Sequence, residues 1–241
     1  MCGDEEMLSF IKVAATLLAL ALGLGGAMAA PLDDALAAIR AKQFAKAIAV
    51  LEPLAMSGDK DAQFNLGVLY LQGQGVIQDS PRALELLGRA SDQNDARAEF
   101  YLALMHHQGL GTAQDTSKAM SLLKKSAEHG YGPAEYNLGI AYFNSRGVKG
   151  TVLDSFHWYR RAAEHGEWRA YVAIATMYEL GIATPTDYRE ATRWNYRGLA
   201  SGDLSTLVSI GRLADDGHLA GSDTAANEEI AYVAFSLAGS V

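Results

Sequence analysis

At 241 residues, 49% of them hydrophobic, with only 5 prolines and plentiful Ala and Leu, the chain can bury a continuous core and is composed to be helical. Its formal net charge of −8 argues against nucleic acid as a partner, which would demand a basic stripe, and against attraction to an anionic membrane surface. The single cysteine, Cys2, lies in a segment predicted to be removed, so the mature chain is expected to have no disulfide, thiolate zinc site or cysteine nucleophile.

The first element is that segment. Val13 to Ala30 carries no charge, Lys12 precedes it, and Ala27-Met28-Ala29 has the small-x-small pattern read by signal peptidase. Residues 1–29 are therefore read as a signal peptide, and Ala30 as the start of the mature, periplasmic or secreted chain. Asp4, Glu5 and Glu6 suit the start of such a segment poorly, and Met7 is the better initiator. The alternative is an uncleaved anchor, since about 18 apolar residues can just span a bilayer. Gly23, Gly25 and Gly26 oppose it, and any membrane contact is expected through this segment alone.

Residues 30–58 come next. Leu32 to Ala41 and Phe44 to Met56 read as a helical hairpin closed by Gly58, with Ala45, Ala47, Ile48 and Leu51 on its apolar face.

From residue 59 to 241 the chain repeats itself about five times. Ala62, Ala98, Ala134, Ala170 and Thr206 stand 36 residues apart. So do Leu66, Leu102, Leu138, Ile174 and Ile210, and the small residues Gly67, Ala103, Gly139, Ala175 and Gly211. Tyr70, His106, Tyr142, Tyr178 and Ala214 form a further column, followed by Gly73, Gly109, Ser145, Gly181 and Gly217. A period of this size denotes stacked supersecondary units. The offsets within each copy suit one face of a helix, the small column suggests a close helix crossing, and the last Gly suits a helix stop. A leucine at Gly139 should force helices apart, whereas alanine should be mild, because Ala103 and Ala175 fill the same column.

A second helix is predicted in each copy. Asp79, Asp115, Asp187 and Asp223 stand where an N-cap belongs, and Thr151 with Asp154 resembles a capping box. The second helices stop at Asn94, Gly130, Gly166 and Gly202. The fifth copy is expected to carry about four extra residues before a last helix of about ten.

Together these columns resemble the Sel1-like repeat, a relative of the tetratricopeptide repeat. The pattern reads Ala62, Leu66, Gly67, Tyr70, Gly73, Gly75, Val76, Asp79 and Ala83 in the first copy. The third shows Asn137, Leu138, Gly139, Tyr142, Gly147 and Val148, closing on Ala162, Ala163 and Gly166. Ala183 and Leu219 replace the second loop glycine in the fourth and fifth copies. The resemblance implies an all-α, right-handed α-α superhelical solenoid with tetratricopeptide-like helix pairs and a concave face lined by the first helices.

The resemblance further implies an adaptor or scaffold. If the first helices line the groove, the side chains just after the Tyr column face a partner: Gln72, His107, Gln108, Phe143, Asn144 and Glu179. This set is polar with one aromatic, which suits a peptide or protein segment better than a buried small molecule. An envelope glycan or peptidoglycan binder is the alternative, and it would call for more groove aromatics. Some exported Sel1-type proteins bind or hydrolyse β-lactams, but those resemble cysteine-rich versions, and this chain lacks the cysteines.

No catalytic residue is assigned, because no G-x-S-x-G, Walker loop or H-E-x-x-H is present. No cofactor or metal is expected. His129 and His165 share a column in the last turn of the second helices, where a cation suits the helix dipole. His106 and His107 are neighbours and diverge on a helix. Trp158 and Trp194 share a column expected to pack in the core. The last helix, with Ile230, Tyr232, Val233, Phe235 and Leu237, is apolar all round. One face should pack around Val208 and Leu213. Tyr232 and Phe235 are assigned to docking on a partner or to a homodimer.

Overall fold

The computed structural model describes residues 29–145, 147, 149–219 and 224–239. The leader up to residue 28, with Cys2, Ala27, Met28 and its apolar run as far as that point, and the loop residues Val148 and Asp223, lie outside them. Every regular element among the described residues is an α-helix. The helices are α1 (Ala29–Arg40), α2 (Phe44–Met56), α3 (Lys60–Gln72), α4 (Ser80–Ser91), α5 (Ala96–Gln108) and α6 (Thr116–Glu128), then α7 (Gly132–Phe143), α8 (Val152–Glu164), α9 (Arg169–Leu180), α10 (Tyr188–Ala200), α11 (Thr206–Asp215) and α12 (Thr224–Ala238). From α3 onward, odd helices are the first and even helices the second of each 36-residue copy.

Residue chemistry sets the helix ends. Asp59, Asp79, Asp115 and Asp187 each accept a backbone N–H of the first turn with a carboxylate oxygen, at 2.7, 2.9, 2.8 and 3.0 Å. Such a cap is worth about 1 kcal/mol. At α8, the Thr151 N–H and hydroxyl both donate to Asp154 Oδ2, at 2.6 and 2.9 Å. The second helices stop where the chain turns left-handed, at Asn94 (φ 59°), Gly130 (82°), Gly166 (80°) and Gly202 (92°). Asn is the residue that best replaces Gly in that conformation.

Two compact units divide the chain, and the division falls within α5. One holds the described residues up to Ala98 together with Gly109–Ala113. Its core joins Ala35, Leu51, Leu66, Leu69 and Leu86, and each such buried leucine contributes roughly 1.5–3 kcal/mol. The other holds Glu99–Gln108 and the described residues from Gln114 onward. Its apolar core runs through Ala134 and Leu138, then Tyr159, Ile174, Met177 and Trp194, then Ile210, Leu213 and Ala231.

The small column does place helices in close approach, with an unexpected partner. A Cβ at Gly139 would stand 2.7 Å from the ring of Tyr159, which is buried in α8. Alanine is therefore not mild there, contrary to the reading from Ala103 and Ala175. Twenty residues after those two stand Leu123 and Asn195, both smaller than Tyr159. At Gly139 the bulk of the facing Tyr159 ring leaves no room for a Cβ.

The fifth copy needs a second correction. Helix α12 has 15 residues and starts at Thr224, 36 after the start of α10 at Tyr188. No extra residues displace it. Asn227 and Ala234 keep the inward register of Ala191 and Gly198. Leu213 is buried as expected, whereas Val208 is 51% exposed.

Candidate functional site

The ends of the first helices are fixed by one repeated bond. The carbonyls of Tyr70, His106 and Tyr178 accept the N–H of Asp79, Asp115 and Asp187 at 3.0, 2.8 and 3.0 Å. Gln78 and Gln114 add side-chain bonds to the carbonyls of Leu71 and His107, at 2.9 and 2.8 Å. These bonds tie each loop to the last turn, so the residues after the Tyr column sit at fixed places. Gln72 is exposed at the end of α3. In the second unit, His107 and Gln108 are exposed at the end of α5, and Phe143 and Asn144 at the end of α7.

Glu179 departs from the set. It is only 6% exposed, forms an ion pair with Arg212 of α11 and accepts a 3.4 Å bond from Asn195 of α10. The guanidinium draws the carboxylate inward, and the assignment of Glu179 to a partner surface is withdrawn.

Beside His107 the surface is not polar. A cavity of about 310 Å³ opens between α5, α6 and α7, walled by Phe100, Leu104, Met120, Leu123 and Ile140, with His107 among its lining residues. The sequence reads the set as polar with one aromatic, and this apolar cavity beside it has a volumetric cause. Thirty-six residues after Met120 and Leu123 stand Phe156 and Tyr159. Those rings meet Tyr178 and Tyr136 at centroid distances of 5.4 and 5.5 Å. The smaller pair in α6 leaves room.

A buried polar column also runs through the copies. Glu99 and Glu135 have fully buried side chains. His129 Nδ1 lies 2.8 Å from Glu99, with Lys125 Nζ at 2.9 Å. His165 Nδ1 lies 2.7 Å from Glu135, with Arg161 at 3.0 Å. In the first copy the same positions are Gln63 and Gln93, bonded at 2.9 Å. His129 and His165 do terminate their helices as C-cap residues, and they have a second role that the helix-dipole reading does not contain, a side-chain hydrogen bond to a buried carboxylate. The signal was present: Gln63, Glu99 and Glu135 recur every 36 residues, each 30 before its partner.

His106 is buried at 6% exposure, and its pKa lies below the ordinary value because burial disfavours the charged ring and Lys118 adds repulsion. Burial and the neighbouring Tyr136 push the Tyr159 hydroxyl up to about 12. Trp158 and Trp194 lie beneath the guanidinium groups of Arg161 and Arg197, at 4.8 and 4.4 Å. Tyr232 and Phe235 on α12 are 75% and 44% exposed, although the Phe235 ring also closes on Gly211 of α11. Among the described residues, no group of three His, Cys, Asp or Glu side chains could hold a metal ion, and no helix is long and apolar enough to cross a membrane.

Tandem helix pairs in a 36-residue register define a helical-repeat solenoid. The chain belongs to the Sel1 repeat family, whose profile matches residues 60–95, 96–131, 132–167 and 168–203, more than half of its length. A Sel1 repeat protein from Oxalobacter formigenes is 26% identical, with a TM-score of 0.77 over 87% of this chain and 84% of that one. A protective antigen of uropathogenic Escherichia coli strains with an SLR fold is 24% identical, with a TM-score of 0.75. The match covers 89% of this chain but 47% of that longer protein, and it speaks to the fold alone. An immunity protein from Pseudomonas aeruginosa, 19% identical, has a TM-score of 0.53 over 81% of this chain and 72% of that one. No curated protein sequence matches the chain. Sel1 repeat proteins are in general protein-interaction scaffolds, and the family is typically non-catalytic.

Proposed function

We propose that the chain is an exported interaction scaffold of the bacterial envelope that takes a protein segment against the ends of α5 and α7. The observation that carries this reading is the exposure of His107, Gln108, Phe143 and Asn144 at corresponding ends of two successive first helices, with the apolar cavity beside His107. Polar groups suited to a partner's backbone thus adjoin apolar area suited to its side chains, the mixture that protein interfaces use. Export rests on the apolar leader and Ala27-Met28-Ala29.

Crosslinking in the native envelope, read by mass spectrometry, tests both parts. Replacing Gln108, Phe143 and Asn144 together with alanine should abolish the crosslinked partner and leave the helical circular dichroism intact. Unchanged crosslinks would overturn the assigned surface. The exported chain should begin near Ala30, and a full-length membrane-embedded chain would overturn export.

A further inference from the structure

The fold uses one charged device twice in full and once in part. Asp95 Oδ1 accepts the Arg97 N–H and Arg97 Nε, both at 3.0 Å, and Oδ2 accepts Nη2 at 2.5 Å. The guanidinium lies over the Phe64 ring at 4.3 Å. Glu167 repeats the arrangement 72 residues on. Its Oε1 accepts the Arg169 N–H at 3.3 Å and Nε at 2.7 Å, its Oε2 accepts Nη2 at 3.0 Å, and the guanidinium lies over Tyr136 at 4.8 Å. Both acids are buried, at 4% and 7% exposure. Each therefore combines a backbone N–H, a two-pronged guanidinium and an aromatic face.

Asp203 occupies the next acidic position of the column, and the +2 residue is Ser205 instead of arginine. The first half of the device is intact. Asp203 Oδ1 accepts the Ser205 N–H at 3.0 Å and its hydroxyl at 2.6 Å. The other oxygen, Oδ2, is buried and has no hydrogen-bond partner, and the residue is 8% exposed. Asp203 lines a cleft of about 290 Å³ with Ser201, Gly202 and Trp168, whose side chain is half-exposed. A buried carboxylate oxygen left unpaired is costly, and a cation brought to it recovers that cost.

We propose that this cleft takes an arginine side chain of a partner protein. The guanidinium would supply the missing donor to Asp203 Oδ2 and lie against the Trp168 indole, as Arg97 and Arg169 do in cis with Phe64 and Tyr136. Arginine suits the place better than lysine, because its planar group stacks on a ring while donating sideways to a carboxylate. The formal net charge of −8 favours approach of a basic segment. The cleft uses none of the side chains assigned to the ends of α5 and α7, and the inference does not depend on that assignment.

The test titrates the full chain with acetyl-Gly-Arg-Gly-amide and with its citrulline counterpart, which keeps the shape and loses the charge. The readout is the indole N–H resonance that disappears in Trp168→Phe. The arginine peptide should shift it saturably, and citrulline should bind at least tenfold more weakly. Ser205→Arg supplies the guanidinium in cis, and should raise the melting temperature and abolish peptide binding. Asp203→Asn should weaken the arginine peptide at least tenfold, while Glu164→Gln, at an exposed acid, should leave it unchanged. Equal binding of the two peptides would overturn the proposal. So would undiminished binding by folded Ser205→Arg, a result that stays informative even where Asp203→Asn fails to fold.

Discussion

Ala183 holds a φ of 62°, a conformation in which an L side chain costs about 1–2 kcal/mol and glycine costs nothing. Gly75, Gly111 and Gly147 take the corresponding loop position with φ of 77°, 69° and 68°. Ala183→Gly should therefore stabilise the fold by about 1 kcal/mol, with the gain in backbone strain partly offset by a freer unfolded chain, and urea denaturation should show a higher midpoint. Gly139→Ala should act the other way. Its Cβ would meet the Tyr159 ring at 2.7 Å, and overpacking a buried site costs about 1–3 kcal/mol. Thermal melts of Gly139→Ala alone and with Tyr159→Leu, which restores the pairing of Ala103 with Leu123, should show recovery in the double variant. An unchanged melting temperature for the single variant would place Tyr159 elsewhere.

The helix ends were legible in the sequence because their causes are local. An aspartate one residue before a helix caps it through its own side chain, and a glycine or Asn94 past the end supplies its own φ. The fate of Glu179 was not legible, since Arg212, 33 residues later and in the next copy, decides it. Nor was the cavity beside His107, which depends on the volumes of Met120 and Leu123 against walls from two other helices. The burial of Glu99 and Glu135 could have been read from the 30-residue spacing to their histidines, but only by taking a charged column as an inward one. Helix α12 presents Tyr232, Val233, Phe235 and Leu237 at 75%, 48%, 44% and 51% exposure. Burying an apolar side chain of this size is worth roughly 1.5–3 kcal/mol, which is the ground for predicting that this face docks on a second copy of the chain. Light scattering at micromolar concentration should give a dimer for the wild type and a monomer for Tyr232→Glu, Phe235→Glu. A monomeric wild type would remove the dimer.

Acid should loosen the whole molecule in two steps. Burial, reinforced by Lys118 and only partly opposed by Asp115, holds His106 below its ordinary pKa of 6.5. The unfolded chain therefore takes up that proton first, and the stability is complete above about pH 6.5 and lost as pH falls through the folded value. Asp95 acts at lower pH. Burial alone would raise its pKa, but the Arg97 bond and the N–H groups of Ala98 and Arg97 outweigh it and hold the group below 3.8. Its contribution is lost as pH falls from 3.8 through that lower value. His106→Tyr, which restores the residue found at Tyr70, Tyr142 and Tyr178, should flatten the first decline of the melting temperature below about pH 6.5 and leave the lower limb in place. A pH profile identical to the wild type would rule His106 out as the sensor. The wiring of the buried acids also decides how such a chain can be lengthened or shortened. Glu99 finds Lys125 and His129 within residues 96–131, and Glu135 finds Arg161 and His165 within 132–167. Each of these two buried glutamates has its cations inside its own segment, so excising 132–167 whole should strand no buried carboxylate and leave a folded, shorter array, although it parts Arg169 from Glu167. Glu179, like Asp95 and Glu167, takes its cation from the next segment, in its case from across the boundary at residue 203. Removing everything after that boundary leaves one buried acid without its counter-charge. Loss of an interior unit thus removes Glu99 or Glu135 together with its own cations, while the junction at residue 203 holds its two sides together through Glu179 and Arg212.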